Sequence, residues 1–267
     1  MTANIHPTAL VDSAAELGTN VEIGPYSTVG PHVRIGDGSR LISHVTLEGR
    51  TTIGRNCVLY PQTSMGYPPQ DFKHRGGSEI GIEIGDDCTF REMSNVHPGT
   101  DVGKPVTRIG NGCYMMVGSH VAHECQIGNN VTLSNYAQVG GNVTIGDYVT
   151  LGGVCAIHQH TRIGDYAFIA GMALVTNDVI PYGFVMGNAA HLNGLNVIGL
   201  KRQGFKKAHI HKLRAAYRQL FAYEGTLAER IEDARRLYAD EPLVTKIIEF
   251  IEARGQGRNL TLPEHRR

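Results

Sequence analysis

Two residues of the right kind can start an acyl transfer. An imidazole removes the proton from an attacking hydroxyl, and a nearby backbone N–H stabilises the oxyanion of the tetrahedral intermediate. His123, in SHVAHECQIGN, and Gly141 are candidates for this pair, and Gln159 stands at the same interval beyond Gly141. Glu124 follows His123 and can hold the orientation of its ring. Exposed histidines are common, so these types decide nothing unless the fold stacks residues at that interval.

The scaffold supplies that condition. The chain repeats with a period of six: Ile5, Val11, Leu17, Ile23, Val29, Ile35, Leu41, Leu47, Ile53, Leu59 and Met65 form a series with no polar member. A short block at Ile84, Phe90 and Val96 follows, and the series resumes from Ile109 through Val121, Val139 and Ile157 to Val175. This period fits neither a helix nor an alternating strand. It is the hexapeptide signature of a β-helix, in which each hexapeptide gives one short strand and one turn with the aliphatic residue inward. Three hexapeptides close a triangular coil, so residues eighteen apart stack at roughly 4.8 Å. His123 lies two positions beyond the inward Val121 and points outward. His123, Gly141 and Gln159 then form one column, and Glu124, Asn142, His160 and Asp178 the next.

Two segments break the phase. Met65 to Ile84 spans nineteen residues and Val96 to Ile109 thirteen, neither a multiple of six. Loops must leave the prism there, over 66–79 and 99–108. The first, GYPPQDFKHRGGS, is rich in Pro, Gly and charge and is expected to be exposed. From Lys206 the period becomes helical. Ile210, Leu213, Ala216, Tyr217, Leu220 and Phe221 share a face, Thr226 and Glu229 form a capping box, and PLVTKIIEFIEARG ends at Gly255. The reading is a β-class solenoid over 1–186, a connector over 187–205 and a helical domain over 206–267, with the polar tail RNLTLPEHRR fraying.

Composition removes several function classes. The 25 Lys and Arg balance 25 Asp and Glu, so nothing global attracts nucleic acid or a membrane surface. No apolar run approaches the roughly 20 residues of a membrane span, and MTANIHPTAL lacks the basic-then-apolar order of a secretory signal. A cytoplasmic location without stable membrane insertion is expected. The five cysteines, none in C-x-x-C spacing, fit reduced thiols packed at strand positions. A filled solenoid has no internal cavity, so chemistry must lie on its outer faces or between copies.

Specific motifs then carry a resemblance over nearly the whole chain. IHPTALVD at 5–12, IGPYSTVGPHVRIGDG from Ile23, QDFK at 70–73, HVAHECQIGN at 120–129, AIHQ at 156–159 and GLNVIGLKRQGF at 194–205 resemble the UDP-N-acetylglucosamine O-acyltransferase family of lipid A biosynthesis. The resemblance implies left-handed winding, a homotrimer, and transfer of a 3-hydroxyacyl chain to the 3-hydroxyl of a UDP-amino-sugar. It implies no resident cofactor, since the acyl carrier protein brings the acyl group as a phosphopantetheine thioester co-substrate. It assigns His123 as general base, Glu124 as its partner and Gly141 as the oxyanion donor. Asp71 and Lys73 would contact the sugar, with Gln70 nearby, and His120, His158 and Gln159 would line the cleft between subunits. His97 is expected to face the same cleft. Asn196 and Arg202 would contact the nucleotide, Arg202 by charge-assisted bonds near the diphosphate. Gly171, with Met172 beside it, would set acyl length, and the missing side chain predicts a longer chain.

Some positions depart from the family pattern. Glu124 stands for Asp, Asn142 for His, His160 for Phe, Ile198 for Glu and Gln203 for Arg. Three of these share the column beside His123, which raises N-acylation of a UDP 3-amino-sugar as an alternative. A catalytically silent scaffold paralogue is a further alternative, opposed by the retained His123, Gly141, Asp71 and Lys73. His97, His120, His123 and His158 are also the residues a trimeric β-helix would use for zinc, but the motifs explain them without metal.

Overall fold

The computed structural model describes residues 3–76, 79–253 and 258–264. Short strands, most of two residues, stack into three parallel sheets of 11, 9 and 8 strands that form the walls of a triangular prism. The coil is a left-handed parallel β-helix. Partners lie eighteen residues apart in the regular coils, as in Asn4 with Glu22, Thr28 with Thr46 and Gln138 with Ala156. The inward series is the core: Val29, Leu47, Met65, Val96, Val121, Val139, Ile157 and Val175 are all buried in one wall. The first coil is the exception. Ile5 is 42 % exposed because no described coil stacks beneath it, and Leu10 is 70 % exposed because it points outward beside the inward Val11.

Every coil must turn three corners in few residues, and left-handed backbone does this. Asn20, Tyr26, His44, Glu124, Asn142, Val154, His160 and Met172 all have φ between 51° and 66°. Asn accepts that region at modest cost, whereas Val154 is β-branched and strained there. The cysteines pack at the positions just before the strands. Cys57, Cys88, Cys113 and Cys125 each direct Sγ to the carbonyl of Gly85, Gly110, Gly128 or Gly140 at 3.1–3.2 Å, and all five thiols are free and buried.

Both phase breaks insert residues without disturbing the walls. Ser64 pairs with Asn95, 31 residues on, and Asn95 with His120, 25 residues on, so the insertions add 13 and 7 residues to the eighteen. The second excursion is shorter than 99–108. Val106–Ile109 is a four-residue strand paired to Gly81–Ile84, since Thr107 and Ile109 bury two steps of an alternating pattern. The first loop is exposed at Tyr67 and Phe72, but Pro69 is buried beneath it.

Past Val175 the eighteen-residue register fails. Val179 bridges Ile163, only sixteen residues back, and Asp178 turns to Arg162 with Nε–Oδ2 at 2.7 Å. Asp178 therefore leaves the column of Glu124, Asn142 and His160. Strands Gly183–Met186 and His191–Leu195 pair antiparallel and close this end of the prism. The segment expected as a connector thus holds a strand and a short helix α1, Val197–Arg202. Helices α2 (Lys207–Leu220), α3 (Leu227–Leu237) and α4 (Pro242–Glu252) follow. They bury Ile210, Leu213, Ile231, Val244 and Ile247 against one another. Both hydrogen bonds of the Thr226–Glu229 capping box are made. Gly255, read as the helix stop, lies outside the described residues.

The tail does not fray where it is described. Asn259 and Thr261 bond the backbone of Asp178 at 2.7 and 2.8 Å, and Leu260 and Thr261 are buried. One buried leucine among polar neighbours carries no periodic signal, yet a single parallel bridge between Asp178 and Leu260 seats it.

Candidate active site

His123 stands at the corner after the strand His120–Val121, and its ring lies directly over Gly141 in the next coil. A Cβ built on Gly141 would sit 2.5 Å from His123 Cε1 and 2.6 Å from Nε2. Only glycine fits there. The Gly141 N–H enters no backbone hydrogen bond among the described residues. The column continues as read, for the Asn142 N–H donates to His123 O and the His160 N–H to Gly141 O.

Glu124 is buried and its backbone is left-handed. Its Oε1 is 3.7 Å from His123 Nδ1, an ion-pair distance beyond hydrogen-bond reach. His123 Nδ1 is buried without a hydrogen-bond partner among the described residues. The carboxylate is held instead by Thr100 Oγ1, and the Glu124 N–H donates to Thr107 Oγ1 at 2.8 Å. Gly103 makes the fit possible, since a Cβ there would come within 2.4 Å of Glu124 Oε1. Lys104 Nζ reaches Asn142 Oδ1 at 3.0 Å. The second insertion therefore wraps the partner of the histidine and the residue beside it.

Its neighbour, the first insertion, is tied to the same place. The Gln70 N–H donates to His97 Nδ1 at 3.3 Å, and His74 Nδ1 donates to Asp101 Oδ1 at 2.7 Å. Asp71 Oδ1 accepts from the Lys73 N–H at 2.8 Å, a local turn that leaves the Lys73 side chain exposed. His97 and His120 meet edge to face with centroids 5.2 Å apart, and His120 also bonds Asn95. Burial pushes the His97 pKa down, with the His123 charge adding to it. Burial, then the charges of His97 and His123, pushes His120 down to about 4. Both rings stay neutral at neutral pH beside His123.

His158 and Gln159 stand two coils beyond the row of His120 and His123, so His158 does not join the cluster of three histidines within one chain. Both are exposed. Gly171 is exposed, and a Cβ there would meet Gly153 O at 3.1 Å, a tight approach. The Met172 side chain is exposed and does not fold into that space. Among the described residues, no three His, Cys, Asp or Glu side chains are placed to share a metal ion.

Asn196 and Arg202 lie on another wall. They line a cavity of about 500 Å³ with Tyr148, Tyr166, Phe168, Phe184 and Ile198. The Asn196 amide is spent structurally: Oδ1 caps α1 through Gly199 N at 3.0 Å and Nδ2 donates to Tyr166 O at 2.9 Å. Arg202 is exposed at the rim, Ile198 exposes two-thirds of its surface, and Gln203 caps the end of α1. The structure brings together His123, Glu124 and Gly141, as the period implies, and adds Thr100, Lys104 and Gly103, which the period does not mark. Loops carry no period, and only the length of the insertion marked them.

A hexapeptide β-helix that sets a histidine against a glycine on its outer surface has the arrangement that acyl transfer needs. Residues 106–141 match the family described as bacterial transferase hexapeptide (six repeats), and residues 178–259 match UDP N-acetylglucosamine O-acyltransferase, domain 2. The acyl-[acyl-carrier-protein]–UDP-N-acetylglucosamine O-acyltransferase of Caulobacter vibrioides is 50 % identical over 261 residues, 98 % of each chain. That of Bartonella henselae is 42 % identical over 252 residues, 94 % of this chain and 92 % of its own. The crystal structure of the Francisella novicida UDP-N-acetylglucosamine acyltransferase superposes with a TM-score of 0.92 at 32 % identity, covering 98 % of this chain and 95 % of that one. The chain belongs to the UDP-N-acetylglucosamine O-acyltransferase family.

Proposed function

We propose that the protein transfers a 3-hydroxyacyl chain from acyl carrier protein to the 3-hydroxyl of UDP-N-acetylglucosamine, the first step of lipid A biosynthesis. The observation that carries this is the His123 ring lying against Gly141, whose N–H enters no backbone hydrogen bond among the described residues, in a chain whose relatives bear that activity in their names. His123 Nε2 accepts the proton of the sugar hydroxyl as its oxygen attacks the thioester carbonyl. The Gly141 N–H receives the oxyanion. Collapse breaks the C–S bond, and the departing phosphopantetheine thiolate takes the proton from the imidazolium. Glu124, 3.7 Å from Nδ1, stabilises that imidazolium by charge without taking its proton. No resident cofactor enters this scheme.

Asp71 and Lys73 contact the sugar in this reading, Arg202 the diphosphate, and Gly171 the end of the acyl chain. Asn196 shapes the nucleotide cavity as a helix cap. The protein acts as a homotrimer, because His123 adjoins the 9-stranded wall while the Arg202 cavity is built on Thr150, Phe168 and Phe184 of the 11-stranded wall. A neighbouring copy brings one wall to the other.

The Asn142–Lys104 bond beside His123 favours one second reading, a UDP 3-amino-sugar as acceptor. Mass spectrometry of products from mixed acyl carrier donors with the hydroxyl and amine acceptors in parallel tests both. An ester on UDP-N-acetylglucosamine supports the first reading. Exclusive amide formation replaces it with the second, and no product from any pair overturns both.

A further inference from the structure

The tail segment beyond α4 comes back to the prism and delivers a side chain to the substrate wall. Asn259 and Thr261 bond Asp178, the Leu192 N–H donates to Leu262 O at 2.9 Å, and Thr261 Oγ1 donates to Asn177 O at 3.1 Å. From this anchored strand, Arg258 Nη2 lies 2.6 Å from His158 Nδ1, and Arg258 Nε donates to Gln159 O at 3.1 Å. One guanidinium thus spans His158 and Gln159, and Gln159 belongs to the column that begins at His123.

A guanidinium has only donors and keeps its charge at every physiological pH. Two groups approach His158 Nδ1 and ask for opposite tautomers: the guanidinium at 2.6 Å needs a lone pair there, and Gln159 O at 3.2 Å needs a proton. The shorter, charged contact decides, because an Nδ1–H would point a donor at a donor at 2.6 Å, so the ring proton sits on Nε2, at the opposite edge. We propose that Arg258 is a positioning residue that fixes His158 in the Nε2–H tautomer, presenting a donor to an oxygen of the bound ligand, with the guanidinium charge behind it. The C-terminal segment is then a working part of the site. The bond to Gln159 O sets the ring's backbone at the same time. This rests on the proposed role of His158 in binding substrate, but the tautomer exists without any substrate.

The test uses the full-length protein with Arg258→Met, Arg258→Lys, His158→Ala and the double variant. Long-range 1H–15N spectra of histidine-labelled protein, assigned by loss of the signal in His158→Ala, read the tautomer without ligand. The expected result is Nε2–H in the wild type and a mixture of tautomers in Arg258→Met. With UDP-N-acetylglucosamine as acceptor, KM should rise about tenfold in Arg258→Met while kcat stays within about threefold. Arg258→Lys should recover most of that loss, and the double variant should bind no worse than His158→Ala. Asn259–Leu262 hold the tail, so melting should shift by about 2 °C or less. Should Arg258→Met unfold, Arg258→Gln, whose shorter neutral amide cannot span both partners, gives the same comparison. An unchanged tautomer in either variant overturns the proposal, as does a KM loss that persists undiminished on top of His158→Ala. A chain inactive with every acceptor would remove the proposed reaction and leave the tautomer result standing.

Discussion

The coils of residues 4–65 and those of residues 66–142 are made of the same hexapeptides and do different work. In the first set the eighteen-residue offset is unbroken, and the interior holds aliphatic side chains and small hydroxyl residues (Ser27, Ser39, Thr51, Thr63) but no buried ionisable carboxylate or imidazole. The outer face carries exposed ion pairs such as Arg34–Glu16 and Arg40–Glu22. Pairs of that kind contribute about 0–1 kcal/mol each. In the second set two insertions cover the face. Beneath them lie His97 and Glu124, both buried, Thr100 and an imidazole nitrogen without a partner. Groups that cost free energy to bury gather where the repeat is interrupted. Regular coils fix positions, and the interruptions bring polar groups to them.

The difference can be broken most severely at His123. His123→Ala should lower turnover by about 10²–10⁴-fold and leave the melting temperature nearly unchanged, because the ring faces outward and no core cavity forms. Activity within a few-fold of wild type by product assay would defeat the assignment. The regular coils should behave in the opposite way. Leu59 is fully buried in them, so Leu59→Ala should cost about 2–5 kcal/mol in a denaturant titration with kcat per folded molecule preserved.

The pH response should also separate the two sets. His120 is neutral in the fold, its pKa pushed from 6.5 down to about 4. The unfolded chain takes up this proton first, so the contribution is complete above about pH 6.5. It is lost as pH falls from there toward about 4, and amounts to about 3 kcal/mol. His97 works in the same direction. Urea midpoints between pH 8 and pH 5 should fall in the wild type and flatten in His120→Gln, and parallel curves would remove the histidine as the cause. The smallest effect belongs to the loop. Thr100→Val frees the Glu124 carboxylate and should slow kcat by about tenfold with little change in KM for either substrate. An equal loss in the Glu124→Gln background would show that Thr100 acts by another route.

The prism was legible because a period of six is visible in any single coil, and the insertion lengths of 13 and 7 follow from the same count. Stacking of His123 on Gly141 needed nothing further. The residues that complete the site were not legible for the same reason. Thr100, Gly103 and Lys104 sit in a segment with no period, and their positions depend on the carboxylate they enclose. Asp178 was misplaced because the phase slips by two residues after Val175, where a bond to Arg162 replaces the stack. The tail, read as fraying, is anchored instead, because burying Leu260 takes only a few residues, too few to carry a pattern.

The two ends of the prism are unequal. One is closed by the antiparallel strands Gly183–Met186 and His191–Leu195, and at the other the strand edges and Ile5 are uncovered among the described residues. A coil is therefore a modular length unit. Whole blocks of eighteen residues can be spliced in or removed between Ala3 and Met65 while His123, the two insertions and the helical domain keep their mutual geometry. Height is thus set by the number of coils, one step of about 4.8 Å for each block, beneath a site that does not move.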